Sequence, residues 1–220
     1  MNALRAKLTV LLLGLVMAGS VSADDNLWLG FKAGTLVLGL EATWRPLPWF
    51  DIRAGGNAYD YDDDGSKAGV NYNATLQLET FYATANFRFP LSPFRVTAGA
   101  YSNGNEFQMV SMDSPSFDIG GGNYTQADVG TLRSTTYFEE VAPYLGFGFD
   151  FKVFGKVGLN LDLGVLWQGE PSVTLTADGL LASDPTFMAE LEAERLQLEA
   201  EFDNYKAYPV LSLGFSVNFF

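Results

Sequence analysis

The sequence contains no cysteine and no histidine in its 220 residues. Without cysteine there are no disulfides, no thiolate metal sites and no lipid anchor on an N-terminal cysteine. Without histidine there is no imidazole base and no imidazole ligand for a transition metal. Positive charge is scarce: 13 lysines and arginines stand against 26 aspartates and glutamates, a net charge of -13. A chain this acidic repels nucleic acid. Long apolar runs are missing too. Leu8 to Met17 is too short to span a bilayer as a helix, and no other segment approaches the ~20 residues required.

The N-terminus reads as a processing segment. Arg5 and Lys7 precede the apolar run, and Val21-Ser22-Ala23 supplies small residues for cleavage. The expected division is a signal peptide over 1–23 and a single barrel domain over 24–220.

Alternation with a period of two dominates the chain beyond residue 23. In "PYLGFGFDF", Leu145, Phe147, Phe149 and Phe151 alternate with Tyr144, Gly146, Gly148 and Asp150. In "VGLNLDLGVLW", an aliphatic set ending in Trp167 alternates with Gly158, Asn160, Asp162 and Gly164. The final stretch sets Leu211, Leu213, Phe215, Val217 and Phe219 against Ser212, Gly214, Ser216 and Asn218. This is the period of a β-strand with one apolar and one small, polar face. Eight strands are expected, near 27–34, 36–45, 50–61, 70–89, 94–111, 136–151, 157–168 and 207–219. Short breaks such as Pro46-Leu47-Pro48 alternate with long polar ones, and the hairpin near Gly34 is the least marked.

The polar face carries Glu41, Arg53, Arg88, Arg95, Asp150 and Asp162, both signs together, and Arg45 as well. In a soluble sandwich or a soluble periplasmic binding barrel, the aliphatic face is buried. In a membrane barrel that face meets lipid, and the balanced charges meet one another in the lumen. Aromatics near the short turns (Trp44, Trp49, Phe50, Phe87, Phe89, Phe94, Phe149, Phe151, Phe154) match an interfacial girdle. Closure in lipid also removes the exposed edge that an apolar terminal strand would leave. The expected fold is therefore all-β: an eight-stranded antiparallel transmembrane β-barrel with its termini and short turns in the periplasm and its long loops outside.

Signal peptide, eight alternating strands, short turns against long loops and an aromatic last strand together resemble the small bacterial outer-membrane barrels of the OmpA/OmpX-like and OmpW-like types. "KAGTLVLGLE" and "APYLGFGF" are similar to recurrent segments of proteobacterial barrels in that group. The resemblance implies an outer-membrane location, contact with membrane lipids and lipopolysaccharide, and an assembly signal at Phe215, Val217, Phe219 and Phe220 read by the barrel-assembly machinery. Phe220 lies one residue out of phase. Enzymes among such barrels use a histidine with serine or aspartate, and this chain has none.

An eight-stranded barrel is just wide enough for side chains to fill its interior. The six lumen charges are expected to form a packed ion-pair network, the alternative being a narrow path for small or hydrophobic solutes. "DYDDDG" places Asp60, Asp62 and Asp64 at the spacing that opens a calcium loop, but position twelve is Asn71 rather than glutamate. An acidic hairpin loop, with a weak divalent-cation site as the sharper reading, is expected there. "MDSPSFDIGGGNYTQADVGTLRST" reads as a flexible surface loop. Pro185 to Asp203 reads as an acidic helix in the last extracellular loop, with Asp184 as N-cap. Phe187, Leu191, Leu198 and Phe202 recur at helical spacing, giving either a lid on the mouth or a docking surface for an extracellular partner. No cofactor is expected.

Overall fold

The computed structural model describes residues 26–67, 70–153, 156–202 and 205–218. The expected signal peptide lies outside them, as do Phe154, Asp203, Phe219 and Phe220. Eight long antiparallel strands form the barrel wall: β1 (Leu27–Gly34), β2 (Val37–Leu47), β3 (Phe50–Lys67), β4 (Val70–Arg88), β5 (Phe94–Asn103), β10 (Val141–Val153), β11 (Val157–Trp167) and β13 (Ala207–Asn218). Each pairs with the next around the ring, β5 with β4 and β10, and β11 with β13. β13 then pairs with β1, from Trp28 opposite Asn218 to Gly34 opposite Ser212. That seam satisfies the backbone groups that an open terminal strand would leave unpaired.

The hairpin at Thr35-Leu36 is real and tight. The Thr35 amide donates to the Leu211 carbonyl at 2.9 Å, and the Tyr208 hydroxyl donates to the Thr35 carbonyl at 2.7 Å. Gly34 runs so close to β13 that a Cβ would collide with the Leu211 carbonyl oxygen. The turn therefore requires glycine there.

The faces follow the alternation. Phe31, Leu38, Leu145, Phe147, Leu159, Leu211 and Phe215 are exposed on the outer wall, and Leu213 is 66% exposed. Glu41, Asp51, Arg53, Asn86, Arg95, Thr97 and Asp162 are buried inside. A soluble barrel would have the opposite arrangement. At the short-turn end the rings of Trp49, Phe87, Phe89, Phe94 and Phe149 touch in series, with centroids 5.2–6.1 Å apart, and form a belt. One residue departs from the expected phase. Leu36 falls in the turn and tips over the lumen instead of facing lipid.

Above the barrel the wall continues on one side as a sheet. β3 and β4 run on past the barrel rim, so the acidic loop expected at 60–69 is ladder up to Lys67 opposite Val70. β4 then pairs with β6 (Glu106–Ser111), β6 with β9 (Arg133–Tyr137), and β9 with β12 (Ser172–Thr176). The strand expected at 94–111 is broken between Asn103 and Glu106, where the chain leaves the barrel ladder for the extramembrane one.

The segment expected as a flexible loop is ordered structure. Phe117–Ile119 (β7) and Gly122–Tyr124 (β8) form a hairpin around Gly120 and Gly121, whose φ values of +58° and +88° suit a two-residue turn with both central residues left-handed. A short helix α1 (Gln126–Val129) comes next, capped by Thr125 and Asp128 reciprocally. The last loop carries α2 (Pro185–Phe202). The Asp184 carboxylate accepts from the amides of Thr186 and Phe187 at 2.9 and 3.1 Å, as an N-cap does.

Candidate functional site

Inside the barrel the side chains stack in layers. Near the short turns Trp28 is buried, with Arg45 and Lys152 over its ring at 5.5 and 5.6 Å. Above it lies the charged layer. Glu41, Arg53, Arg88, Arg95, Asp150 and Asp162 all meet there. Period two explains the convergence: each sits on the inward parity of its strand, and the barrel radius is about one long side chain.

Asp150 is the hub. Arg53 reaches it at 3.0 Å, Arg95 at 3.1 Å, and Arg88 contacts it as well. The Asn160 amide donates to it at 2.7 Å. Arg95 also contacts Asp162, and its guanidinium lies over Gly148, where any side chain would displace it. Arg53 links Asp150 to Glu41 at 3.4 Å and to Asp51 at 3.3 Å. Asn86 bridges the network, donating to Asp51 at 2.7 Å and accepting from Arg95 at 3.1 Å.

Three further members complete the network. Lys32 pairs with Glu41 at 2.6 Å and with Asp162 at 2.9 Å, and Asp51 pairs with Arg88 at 3.1 Å. Strand parity identifies Lys32 and Asp51. Lys32 alternates with Phe31, and Asp51 lies two residues from Arg53. With Arg45 at 3.8 Å from Asp51, five cations and four carboxylates are joined in one cluster. Each buried charge here has an opposite partner, which offsets the large cost of removing it from water.

Toward the outside the lumen turns aromatic, then apolar. Tyr82 stacks on Tyr101 at 4.8 Å, and Tyr101 leans on Tyr144 at 5.4 Å. The Tyr82 hydroxyl donates to Glu41 at 2.9 Å and ties this layer to the charges below. Leu36, Ala142, Leu166 and Val210 close the top, with Tyr208 against them. The space left between Lys32, Arg53, Arg95, Tyr144 and Asp162 is about 20 Å³. That is room for roughly one water molecule.

Asp60, Asp62 and Asp64 lie on β3, on the outward parity, and not in a loop. The Asp62 carboxylate accepts from the Thr75 hydroxyl at 2.7 Å and that of Asp64 from the Asn73 amide at 2.8 Å. In an extended strand, alternate residues stand ~6–7 Å apart, too far for three carboxylates to converge as a folded calcium loop makes them do. Among the described residues no group of three or more such ligands is placed to hold a metal ion.

The acidic helix is built into an extracellular cap and does not lie free. Phe187 is buried among Phe117, Ile119 and Val129, with Leu191 beside them. Arg195 pairs with Glu192 at 2.7 Å and with Glu199, whose carboxylate also accepts the Val173 amide of β12 at 3.1 Å. Met188 and Leu196 face solvent, so the apolar stripe is less clean than its spacing indicates. The Tyr124 hydroxyl donates to Glu190, which pushes its phenol up to about 12. Asp178 accepts from the Thr131 amide and from Arg133, and these hold its carboxyl below the usual range. Of the residues expected as an assembly signal, Phe215 and Val217 lie on the outer wall of β13.

No protein-family model and no curated protein matches the sequence. The solved structures of two Acinetobacter baumannii proteins are similar in fold. CarO2 has a TM-score of 0.57 at 23% identity, covering 87% of this chain and 97% of its own. CarO has a TM-score of 0.56 at 22% identity, covering 90% of this chain and all of its own. Closed antiparallel wall, apolar exterior, charged interior and these likenesses together give the fold of a small eight-stranded bacterial outer-membrane β-barrel.

Proposed function

We propose that the protein is a closed outer-membrane barrel that serves the membrane as a structural and surface-interacting element and does not conduct solute. The observation that carries this reading is the interior. From Trp28 to Leu36 it is occupied by side chains, and the void of about 20 Å³ beside Arg53 and Asp162 is smaller than a hydrated ion needs. The narrow-channel alternative requires the charged layer to open, and every cation in that layer is ion-paired.

In this reading the aliphatic wall contacts lipid and lipopolysaccharide chains. The last strand, through Phe215, Val217, Phe219 and Phe220, presents the barrel to the assembly machinery. The cap formed by β7, β8 and α2 is the part available to an extracellular partner. Among the described residues the lumen carboxylates are all engaged by guanidinium or ammonium groups. The reading is tested by reconstituting the full barrel in planar bilayers. The expected record is a flat baseline at applied voltages of either sign. Discrete, reproducible conductance steps would sink it in favour of the channel.

A further inference from the structure

Directly above the apolar plug is a second and larger space. It measures about 310 Å³ and is lined chiefly by Leu36, Leu76, Leu78, Phe107, Phe202 and Tyr208. Its floor is the closed top of the lumen, its wall is the inward face of β4 and β6 where they rise past the barrel, and Phe202 at the end of α2 reaches over to Phe107 at 6.4 Å. The volume is near the lower bound of small-ligand sites.

Several of its polar groups are already committed. The Gln168 amide donates to the Tyr205 carbonyl at 2.8 Å, and the Asn105 carbonyl oxygen accepts from the Glu79 amide at 3.1 Å. Glu106, the one charged residue of the lining, accepts from Gln108 at 2.6 Å. It lies on the parity opposite to Phe107. A chamber lined chiefly by apolar side chains suits a hydrocarbon tail better than a polar head. The helix beside it contributes five glutamates and one arginine, so the field at the rim favours a head group that is not an anion.

We propose that this chamber binds the alkyl tail of a single-chain amphiphile with a cationic head, held at the extracellular mouth and not passed into the lumen. The occupant is a tail and not a protein segment because the volume matches a short alkyl chain and the lining is chiefly apolar. Retention comes from the floor, where Leu36, Leu166 and Val210 leave no passage to the layers below.

The test uses the full chain in phospholipid nanodiscs, with decyltrimethylammonium as probe and the leucine methyl NMR signals as readout. The expected result is saturable shifts at Leu36, Leu76 and Leu78, with sodium decanoate binding several-fold more weakly. Leu76→Glu puts a charge into the dry chamber and is expected to weaken binding by about tenfold or more. Gln77→Glu, one residue on and facing outward, is expected to leave it unchanged. Should Leu76→Glu not fold, the methyl pattern of the native chain decides alone. Shifts confined to lipid-facing leucines such as Leu161 and Leu213, or a response that never saturates, would overturn the proposal. Decanoate binding as tightly as the cation would overturn the head-group assignment.

Discussion

At the scale of single residues, the interior turns on Asp150. Three guanidiniums and the Asn160 amide converge on its carboxylate. Replacing it with asparagine keeps its shape and removes its charge, so Arg53, Arg88 and Arg95 lose their common partner in a site with little room for water to replace it. Breaking a buried ion pair from one side costs about 3–5 kcal/mol. Asp150→Asn is therefore expected to lower the unfolding free energy from urea titration by that amount, and a value within error of the native one would show that the network is not holding the strands. On the opposite face the rule reverses. Leu161 faces outward between Phe149 and Leu213 of the neighbouring strands. An arginine there costs about 2–4 kcal/mol at the bilayer midplane. Leu161→Arg is expected to reduce the heat-modifiable, folded fraction on unboiled gels, whereas a normal folded fraction would contradict the face assignment.

At the scale of elements, the barrel and its cap are separate cores. Phe187 is buried with Phe117, Ile119 and Val129, whereas the lumen plug is built from Leu36, Ala142, Leu166 and Val210. Deleting residues 187–202 is expected to leave the strands folded and heat-modifiable and to make the β7–β8 hairpin sensitive to protease. Failure of the shortened chain to assemble would place α2 in the barrel core. Inside the cap, Asp178 ties the segment after α1 to the one before α2. Its carboxyl is held below the ordinary value by the Thr131 amide and Arg133. A depressed folded value means that this contribution is fully present above the unfolded carboxylate pKa of ~3.9 and is lost as pH falls through the lower, folded one. The protection factor of the Thr131 amide is expected to fall over that acid window while amides in β11 keep theirs. Equal protection on both sides of it would remove Asp178 from the account.

The elements also show how far the chain could be read unaided. The eight wall strands and their inward and outward faces are legible in the period of two, because lipid on one side and packed polar groups on the other impose opposite demands on alternate residues. The N-cap at Asp184 is legible for a similarly local reason. The cap strands are not. β6, β9 and β12 are short, polar on one face and continuous in sequence with barrel strands or loops, and only their pairing partners make them strands. The Gly120-Gly121 turn did carry a local signal, a glycine pair between β-formers, which flexibility alone does not explain.

At the scale of the whole molecule, closure is the organising fact. The β1–β13 seam joins the first described strand to the last, and the ring of eight fixes a radius that long side chains fill. An apolar plug, a tyrosine layer and an ion-paired layer lie in series along the bore. Removing the rings of Tyr82, Tyr101 and Tyr144 together by alanine substitution is therefore expected to leave single-channel recordings silent, because the Arg53 and Arg95 layer still closes the bore. Conductance in that triple variant alone would make the tyrosines the gate.

The sequence by itself determined an all-β chain whose strands alternate an apolar face with a small, charge-balanced one, since alternation and charge balance are properties of the linear chain. Only the tertiary structure decided that the apolar face lies outside, which charges meet, that Asp60, Asp62 and Asp64 stand apart on a ladder, and that an apolar chamber lies over the mouth. Those facts depend on register and on strands distant in sequence lying side by side, and local pattern carries no record of either.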